Sequence, residues 1–146
     1  MFIQNTKKLF FIQGNGTGTH SVFTTFSGYQ IMFHISTLLP YKATDRQQLE
    51  RKRHLGNDVV VIIYKEGDQL FNPACMDSEF NHVFVVVQKV EQDPPAYKVE
   101  IAYKGGCPYP PYPILCQNTY TLDDDLRNFL LTKCMYNTFR TPYVLF

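Results

Sequence analysis

The sequence predicts an α/β protein with a central mixed β-sheet flanked by few helices. Most of its apolar runs are short and rich in β-branched or aromatic residues, which is typical of strands. Only two segments carry the signals of a helix. A length of 146 residues, with 45% hydrophobic and 18% charged residues, is typical of one folded domain and excludes wholesale disorder.

Six short segments are predicted as strands, and the turns between them support the assignment. The segments are residues 9–12, 21–26, 29–36, 59–64, 83–90 and 97–103. Ser27-Gly28 is typical of a tight hairpin, and Asp93-Pro94-Pro95 breaks the chain between the last two strands. Residues 59–64 are apolar on both faces, which predicts a central strand that is covered on two sides.

The first predicted helix covers residues 44–54 and buries almost nothing. Thr44, with Gln47 three residues later, is typical of a capping box, and Asp45 suits the positive end of a helix. Leu49 is the only large apolar residue between positions 45 and 54. Because no broad apolar face holds this helix against a core, we expect it to project.

A basic cluster (residues 51–54, Arg-Lys-Arg-His) closes this helix. Composition alone favours a solvated face whose cations complement the negative helix end. Gly56 is predicted to adopt the left-handed conformation that stops a helix, with Asn57 and Asp58 bonding to nearby backbone. The functional interpretation places Asn57 at the tip of an exposed element, where it can reach into another molecule.

The second predicted helix covers residues 122–136. It opens on three aspartates at 123–125, and its apolar residues recur at helical spacing: Leu126, Phe129, Leu130 and Cys134. A proline-rich stretch at residues 107–113 precedes it and predicts an extended connector. Pro142 would end any helix in the tail.

The charge balance and the cysteines limit the possible partners and the compartment. With 14 basic and 13 acidic residues the net charge is +1, which disfavours a general nucleic-acid or membrane-surface binder. No run approaches the length of a transmembrane span, and the N-terminus lacks the order of a signal peptide. The four cysteines form no C-x-x-C pair, so we expect reduced thiols and a cytoplasmic protein.

Motifs for cofactor and metal chemistry are weak. The glycine-rich run at residues 14–19 lacks the lysine of a phosphate-binding loop, so a flexible surface turn is favoured over a nucleotide site. The four histidines show no ligand spacing and are predicted to be structural, and there is no G-x-S-x-G elbow. We therefore expect no metal and no cofactor.

Two long strings give the sequence a specific resemblance to a known family. MFHISTLLPY stands at residues 32–41 and QQLERKRHLGNDVV at residues 47–60. On these strings, and on weaker matches that extend from 14 to 133, the chain resembles the Rap-type GTPase-activating protein (Rap-GAP) domain, a family that includes tuberin-like and Ral-directed activators. The resemblance implies the family's sheet-and-helix catalytic domain over residues 14–146, with residues 1–13 as an unmatched N-terminal segment.

The resemblance also implies roles for single residues. The family inserts an asparagine "thumb" into a Rap-like GTPase in place of an arginine finger, and this thumb falls on Asn57. His54 and Arg53 match residues that support the thumb or contact the GTPase, Lys52 matches in type, and His34 matches a histidine near the same surface. The implied function is activation of a Rap, Ral or Rheb-type GTPase in its GTP-bound form, by a regulator that is not itself an enzyme.

The tail departs from the family pattern. Residues 136–146 stand where the family has a long terminal helix, so we expect a truncated and incomplete C-terminal part of the domain. Two alternatives stay open beside the activator. One is a module that binds a GTPase without stimulating hydrolysis, and the other is a basic protein-interaction or nucleic-acid module unrelated to GTPases.

Overall fold

A computed structural model of the chain describes residues 7–9, 16–105, 117–121 and 124–140. It confirms the predicted α/β class, with the strands distributed over two sheets. The fold divides into two compact units between Asp58 and Val59. Three predicted features lie outside the described residues: the connector at 107–113, positions 10–12 of the first predicted strand, and the tail beyond Arg140.

The first unit contains a three-stranded antiparallel sheet in the order β1-β2-β3 and one helix. Its elements are β1 (Lys7–Leu9), β2 (Ser21–Phe26), β3 (Tyr29–Phe33) and α1 (Leu49–Gly56). The predicted hairpin between β2 and β3 is confirmed. Ser27 and Gly28 have φ angles of 49° and 82°, and positive values at both turn positions match the twist of a two-residue hairpin.

Strand β3 ends at Phe33, three residues earlier than predicted. The carbonyl of Ile35 accepts the N–H groups of Leu38 at 2.9 Å and Leu39 at 3.1 Å, so the chain turns directly after the strand. This turn buries the Leu39 side chain. It also places His34 in the irregular segment just beyond the sheet.

The second unit contains a mixed four-stranded sheet in the order β4-β5-β6-β7. Its elements are β4 (Val60–Lys65), a 3-10 turn (Pro73–Cys75), β5 (Val83–Val90), β6 (Ala96–Tyr103), β7 (Thr119–Thr121) and α2 (Asp124–Arg140). Strands β4 and β5 are parallel and the other pairs are antiparallel. The core cluster consists of Val83, Val85, Val87, Val99, Tyr120, Leu126 and Leu130.

The prediction that residues 59–64 form a central, doubly covered strand is wrong. Within the described part of the chain β4 lies at the edge of its sheet, and Ile62 and Tyr64 are exposed. The central, buried strand is β5, because it pairs with β4 on one side and β6 on the other. Both strands are rich in β-branched residues, so the pattern alone does not distinguish the edge from the centre.

Helix α2 ends later than predicted, and positions 122 and 123 of the predicted helix lie outside the described residues. It runs to Arg140, four residues beyond the expected end at position 136, and Pro142 follows shortly after. Leu126 and Leu130 enter the core as their spacing predicts. Lys133 is buried as well, with 1% of its surface exposed and its Nζ 5.6 Å from the ring centroid of Phe129. None of the helices formed by the described residues is both long and apolar enough to cross a bilayer.

The glycine-rich run is a packed turn where the structure describes it, from Gly16 onward. Gly18 is buried with a φ of 85°, and a Cβ atom there would lie 2.6 Å from the carbonyl oxygen of Leu38. The expected turn is therefore present, and at Gly18 it is buried and closely approached by the backbone of Leu38. Gly14 and Asn15 lie outside the described residues.

We expect Gly18→Ala to destabilise the protein more than Gly28→Ala. Both residues have a positive φ, and placing a Cβ atom in that conformation costs about 1–2 kcal/mol. Only Gly18 adds a steric conflict, which is worth about 1–3 kcal/mol in a tightly packed site. Urea unfolding of both variants measures the difference in the free energy of unfolding, and equal losses would contradict the assignment of a packed turn.

We also expect Lys133 to make stability depend on pH. Burial lowers the pKa of its ammonium group from 10.5 to about 8. Between these values the unfolded chain holds a proton that the folded chain lacks, so the free energy of unfolding rises with pH. Each pKa unit is worth about 1.4 kcal/mol, which limits the rise to about 3 kcal/mol.

The matched variant for this prediction is Lys133→Met, which keeps an unbranched side chain of similar length without the titrating group. Urea unfolding at pH 7.5 and at pH 10 gives the change in stability for each protein. Other titrating groups act equally in both, so the wild-type protein should gain stability relative to the variant. Parallel curves would show that Lys133 titrates normally.

Candidate functional site

Helix α1 buries no side chain, as the sequence predicts, but it begins at Leu49, five residues later than predicted. None of its eight residues is buried, and Leu49 is 56% exposed. Its start differs from the prediction, because Thr44 and Gln47 form no capping box. The carboxylate of Asp45 accepts the N–H groups of residues 47, 48 and 49 at 3.1, 3.0 and 2.8 Å. A carboxylate at this end also suits the positive helix dipole.

The helix ends at Asn57, which is its C-terminal cap. The Asn57 N–H donates to the carbonyl of Arg53 at 3.2 Å. Gly56 is the last helical residue and has no positive φ, so the predicted left-handed stop is wrong. The chain leaves the helix through Asn57 with a negative φ of −89° and a ψ of −7°. The Asn57 carboxamide is exposed and has no hydrogen-bond partner among the described residues.

The basic cluster divides into an internal contact and an outward face. The Arg51 guanidinium donates from Nη2 to the carbonyl of Ser36 at 2.5 Å and lies 5.9 Å from the ring centroid of Tyr41. Lys52 and Arg53 are exposed, and the nearest approach of Arg53 to a carboxylate among the described residues is a long one, 3.9 Å to Glu50. Arg51 therefore fixes the helix to the segment after β3, while Lys52 and Arg53 face solvent.

Directly beneath the helix end lies a polar pair between His34 and Asp58. His34 Nδ1 lies 2.9 and 3.0 Å from the two carboxylate oxygens of Asp58. Because a carboxylate only accepts, Nδ1 carries the hydrogen and donates it. The two side chains are 26% and 33% exposed, so the contact is partly shielded from water. The ring of His54 packs 5.5 Å from that of His34, tilted by 42°.

The environment of Asp58 is mixed. Burial raises the pKa of its carboxyl group, while the hydrogen bond from His34 and the charges of His34 and His54 act in the opposite direction. Burial disfavours the charged form, and donors or cations favour it. The two histidines thus compensate part of the cost of holding a carboxylate below the helix end.

All five residues expected at the site lie in the first unit. Asn57, Arg53 and Lys52 are exposed at the end of α1, and His54 and His34 form a half-buried layer behind them. The contact of Asp58 with His34 and the anchoring role of Arg51 were not predicted from the sequence. Asp58 directly follows Asn57, and this adjacency is the one sequence signal that could have indicated it. Its contact with His34 joins positions 24 residues apart, so no local pattern predicts that contact. Among the described residues, no group of three histidine, cysteine, aspartate or glutamate side chains is arranged to hold a metal.

Comparison with known proteins gives consistent results in sequence and in fold. The family model described as Rap/ran-GAP matches residues 9–142. RapA guanosine triphosphatase-activating protein 1 of Dictyostelium discoideum is 52% identical over 84 residues, which is 57% of this chain and 8% of that protein. The human GTPase-activating Rap/Ran-GAP domain-like protein 3 is 39% identical over 132 residues, which is 86% of this chain and 13% of that protein.

A solved structure of the TSC2 GAP domain shares the fold. The similarity has a TM-score of 0.74 at 20% sequence identity and covers 94% of this chain and 80% of that chain. The chain spans about a tenth of the length of the curated relatives it matches. The family match extends over most of the sequence and includes every residue of the site described above. The chain therefore belongs to the Rap/ran-GAP family.

Proposed function

We propose that this protein accelerates GTP hydrolysis by a Rap-type small GTPase, with Asn57 as a catalytic residue supplied in trans. The observation that supports the proposal most directly is the exposed Asn57 carboxamide at the end of a helix with no buried residue, in a chain of the Rap/ran-GAP family. The name of the Dictyostelium relative, an activator of RapA, favours a GTPase of the Rap type over Ral or Rheb. The GTPase would be bound in its GTP form, which is the substrate of the reaction.

A carboxamide has the chemistry that this reaction needs. Hydrolysis requires a water molecule aligned behind the γ-phosphate, and the charge on the phosphoryl oxygens has to be stabilised. The amide oxygen of Asn57 can accept a proton of that water, and its NH₂ group can donate to the water or to a phosphate oxygen. Because the group is neutral, it does not repel the phosphates and does not titrate near pH 7.

The neighbouring residues support approach and placement. Lys52 and Arg53 face solvent beside Asn57 and present positive charge to an acidic GTPase surface. Charges at the rim of an interface act mainly on the association rate. His54 lies half-buried one turn before Asp58, where it supports the helix end from behind.

We also propose that the protein acts in the cytoplasm. Among the described residues, Cys75 and Cys134 form no disulfide bond, which is consistent with a reducing compartment. Cys107 and Cys116 lie outside the described residues.

We expect Asn57→Ala to lower the stimulated hydrolysis rate by about 100- to 1000-fold, the range measured for one placed polar group in an active site. The fold should be unaffected, because the side chain is exposed and makes no described hydrogen bond. Single-turnover phosphate release, with a GTP-loaded Rap-type GTPase and saturating activator, measures the loss. Ral and Rheb GTPases in the same assay test the choice of target.

The matched control is Asn57→Asp, which has the same shape but replaces the NH₂ donor with a negative charge. It should be as inactive as Asn57→Ala, because the charge repels the phosphates. Complex formation is measured separately by titrating a labelled GTPase. Full stimulation by Asn57→Ala would refute the catalytic role of Asn57. Binding by the wild-type protein without stimulation would instead identify a docking module.

We expect Arg53→Ala to slow association with the GTPase and Lys65→Ala to leave it unchanged. Arg53 is solvent-exposed beside Asn57, whereas Lys65 lies in β4 and donates to the Gln69 carbonyl at 2.9 Å. The effect should be about fivefold or less, because exposed ion pairs contribute 0–1 kcal/mol. Stopped-flow association at low and high salt measures it. Equal effects of the two variants would indicate that the basic cluster is only solvated surface.

A further inference from the structure

We propose that His34 and Asp58 are positioning residues, and that their contact fixes the direction in which Asn57 presents its carboxamide. This inference rests on the proposed function of Asn57 and deepens it. It concerns how the chain holds that side chain before a partner arrives.

Asp58 is held from two directions. Its N–H donates to the carbonyl of Leu55 at 3.4 Å, and its carboxylate accepts from His34 Nδ1 at 2.9 Å. The first contact belongs to the helix end, and the second to the segment just after β3. The residue after Asn57 is therefore tied to two separate elements of the first unit.

The backbone of Asn57 is held in place because the residues on both sides of it are anchored. Its own N–H is bonded to the carbonyl of Arg53, and a planar peptide joins it to the anchored Asp58. With Asp58 directed toward His34, the adjacent side chain is exposed on the outside of the helix end. Pre-organisation of this kind matters in catalysis, since a displacement of about 1 Å can cost about 100-fold in rate.

His34 is itself held against the helix. Its ring lies 5.5 Å from that of His54, which stands on α1 four residues before Asp58. The ring therefore has a packing contact on one side and a donor, Nδ1, aimed at the carboxylate. The packing contact requires a side chain of similar size, whereas the hydrogen bond requires a donor at the position of Nδ1. Substitutions that keep one property and lose the other can therefore test which of the two matters.

Two substitutions separate the hydrogen bond from the packing. His34→Asn places an amide NH₂ at the same branch position as Nδ1, so the donor to Asp58 is kept although the side chain is smaller. His34→Gln is closer to histidine in size, but its NH₂ group lies one bond further from the backbone. If the donor is what matters, asparagine should substitute for His34 and glutamine should not.

The first measurement is single-turnover GTP hydrolysis by a Rap-type GTPase as a function of activator concentration. His34→Gln, His34→Ala and Asp58→Ala should lower the maximal rate about 10- to 100-fold while the half-saturating concentration changes less than about threefold. His34→Asn should stay within about threefold of the wild-type maximal rate. The double variant of His34→Ala and Asp58→Ala should lose no more than either single variant, because both break the same contact.

The second measurement does not depend on activity. The backbone ¹⁵N order parameter of Asn57 in the free protein should be about 0.85 in the wild type and in His34→Asn, and below about 0.6 in His34→Gln and Asp58→Ala. An Asn57 amide that stays rigid in all variants would overturn the inference, as would equal hydrolysis by His34→Asn and His34→Gln. If the wild-type protein stimulates no GTPase, the proposed function fails, and the order parameters alone then decide whether the pair positions Asn57.

Discussion

The geometry of the site depends on polar contacts that hold a short helix in place without core packing. Helix α1 has eight residues and buries none of them, whereas an isolated helix needs roughly 12–15 residues to be even marginally stable in water. Asp45 accepts the N–H group of Leu49 at the start of the helix, Arg51 connects its middle to the Ser36 carbonyl, and Asp58 connects its end to His34. Hydrogen bonds are directional, so these contacts fix the orientation of the helix as well as its position.

Polar fixation leaves the outer surface of the helix available. A helix that packs through an apolar stripe has to direct that stripe toward the core. The position of the stripe then determines which of its residues remain exposed. Here the anchors lie at the ends and at one arginine, and Lys52, Arg53 and Asn57 all remain exposed. Each anchor contributes only about 0.5–1.5 kcal/mol net, so the loss of one changes the orientation of α1 more readily than it unfolds the domain. A site built in this way is sensitive to residues that no partner touches.

Local sequence signals were sufficient for much of the fold but not for the site. The β2–β3 hairpin, β5 and the core face of α2 follow from turn residues and periodicity, which act over a few positions. The edge location of β4 depends on which strand pairs on both sides, and that is a long-range property. Thr44 and Asp45 both suit a helix start, and the choice between them depends on where the first helical N–H groups point. The contact between His34 and Asp58 joins positions 24 residues apart, which no local pattern relates.

The division of labour between charged and neutral groups follows from the cost of desolvation. A side chain that enters a partner's nucleotide pocket leaves water, and the free-energy cost of this desolvation is far larger for a charged group than for an amide. The cations at Lys52 and Arg53 therefore suit the rim, where they stay hydrated and act over a distance. A carboxamide suits the tip, since it keeps both a donor and an acceptor at a smaller desolvation cost. A neutral group attracts a partner only at short range, so its placement has to come from its own chain, which is the role that the contact between His34 and Asp58 fulfils in the proposed mechanism.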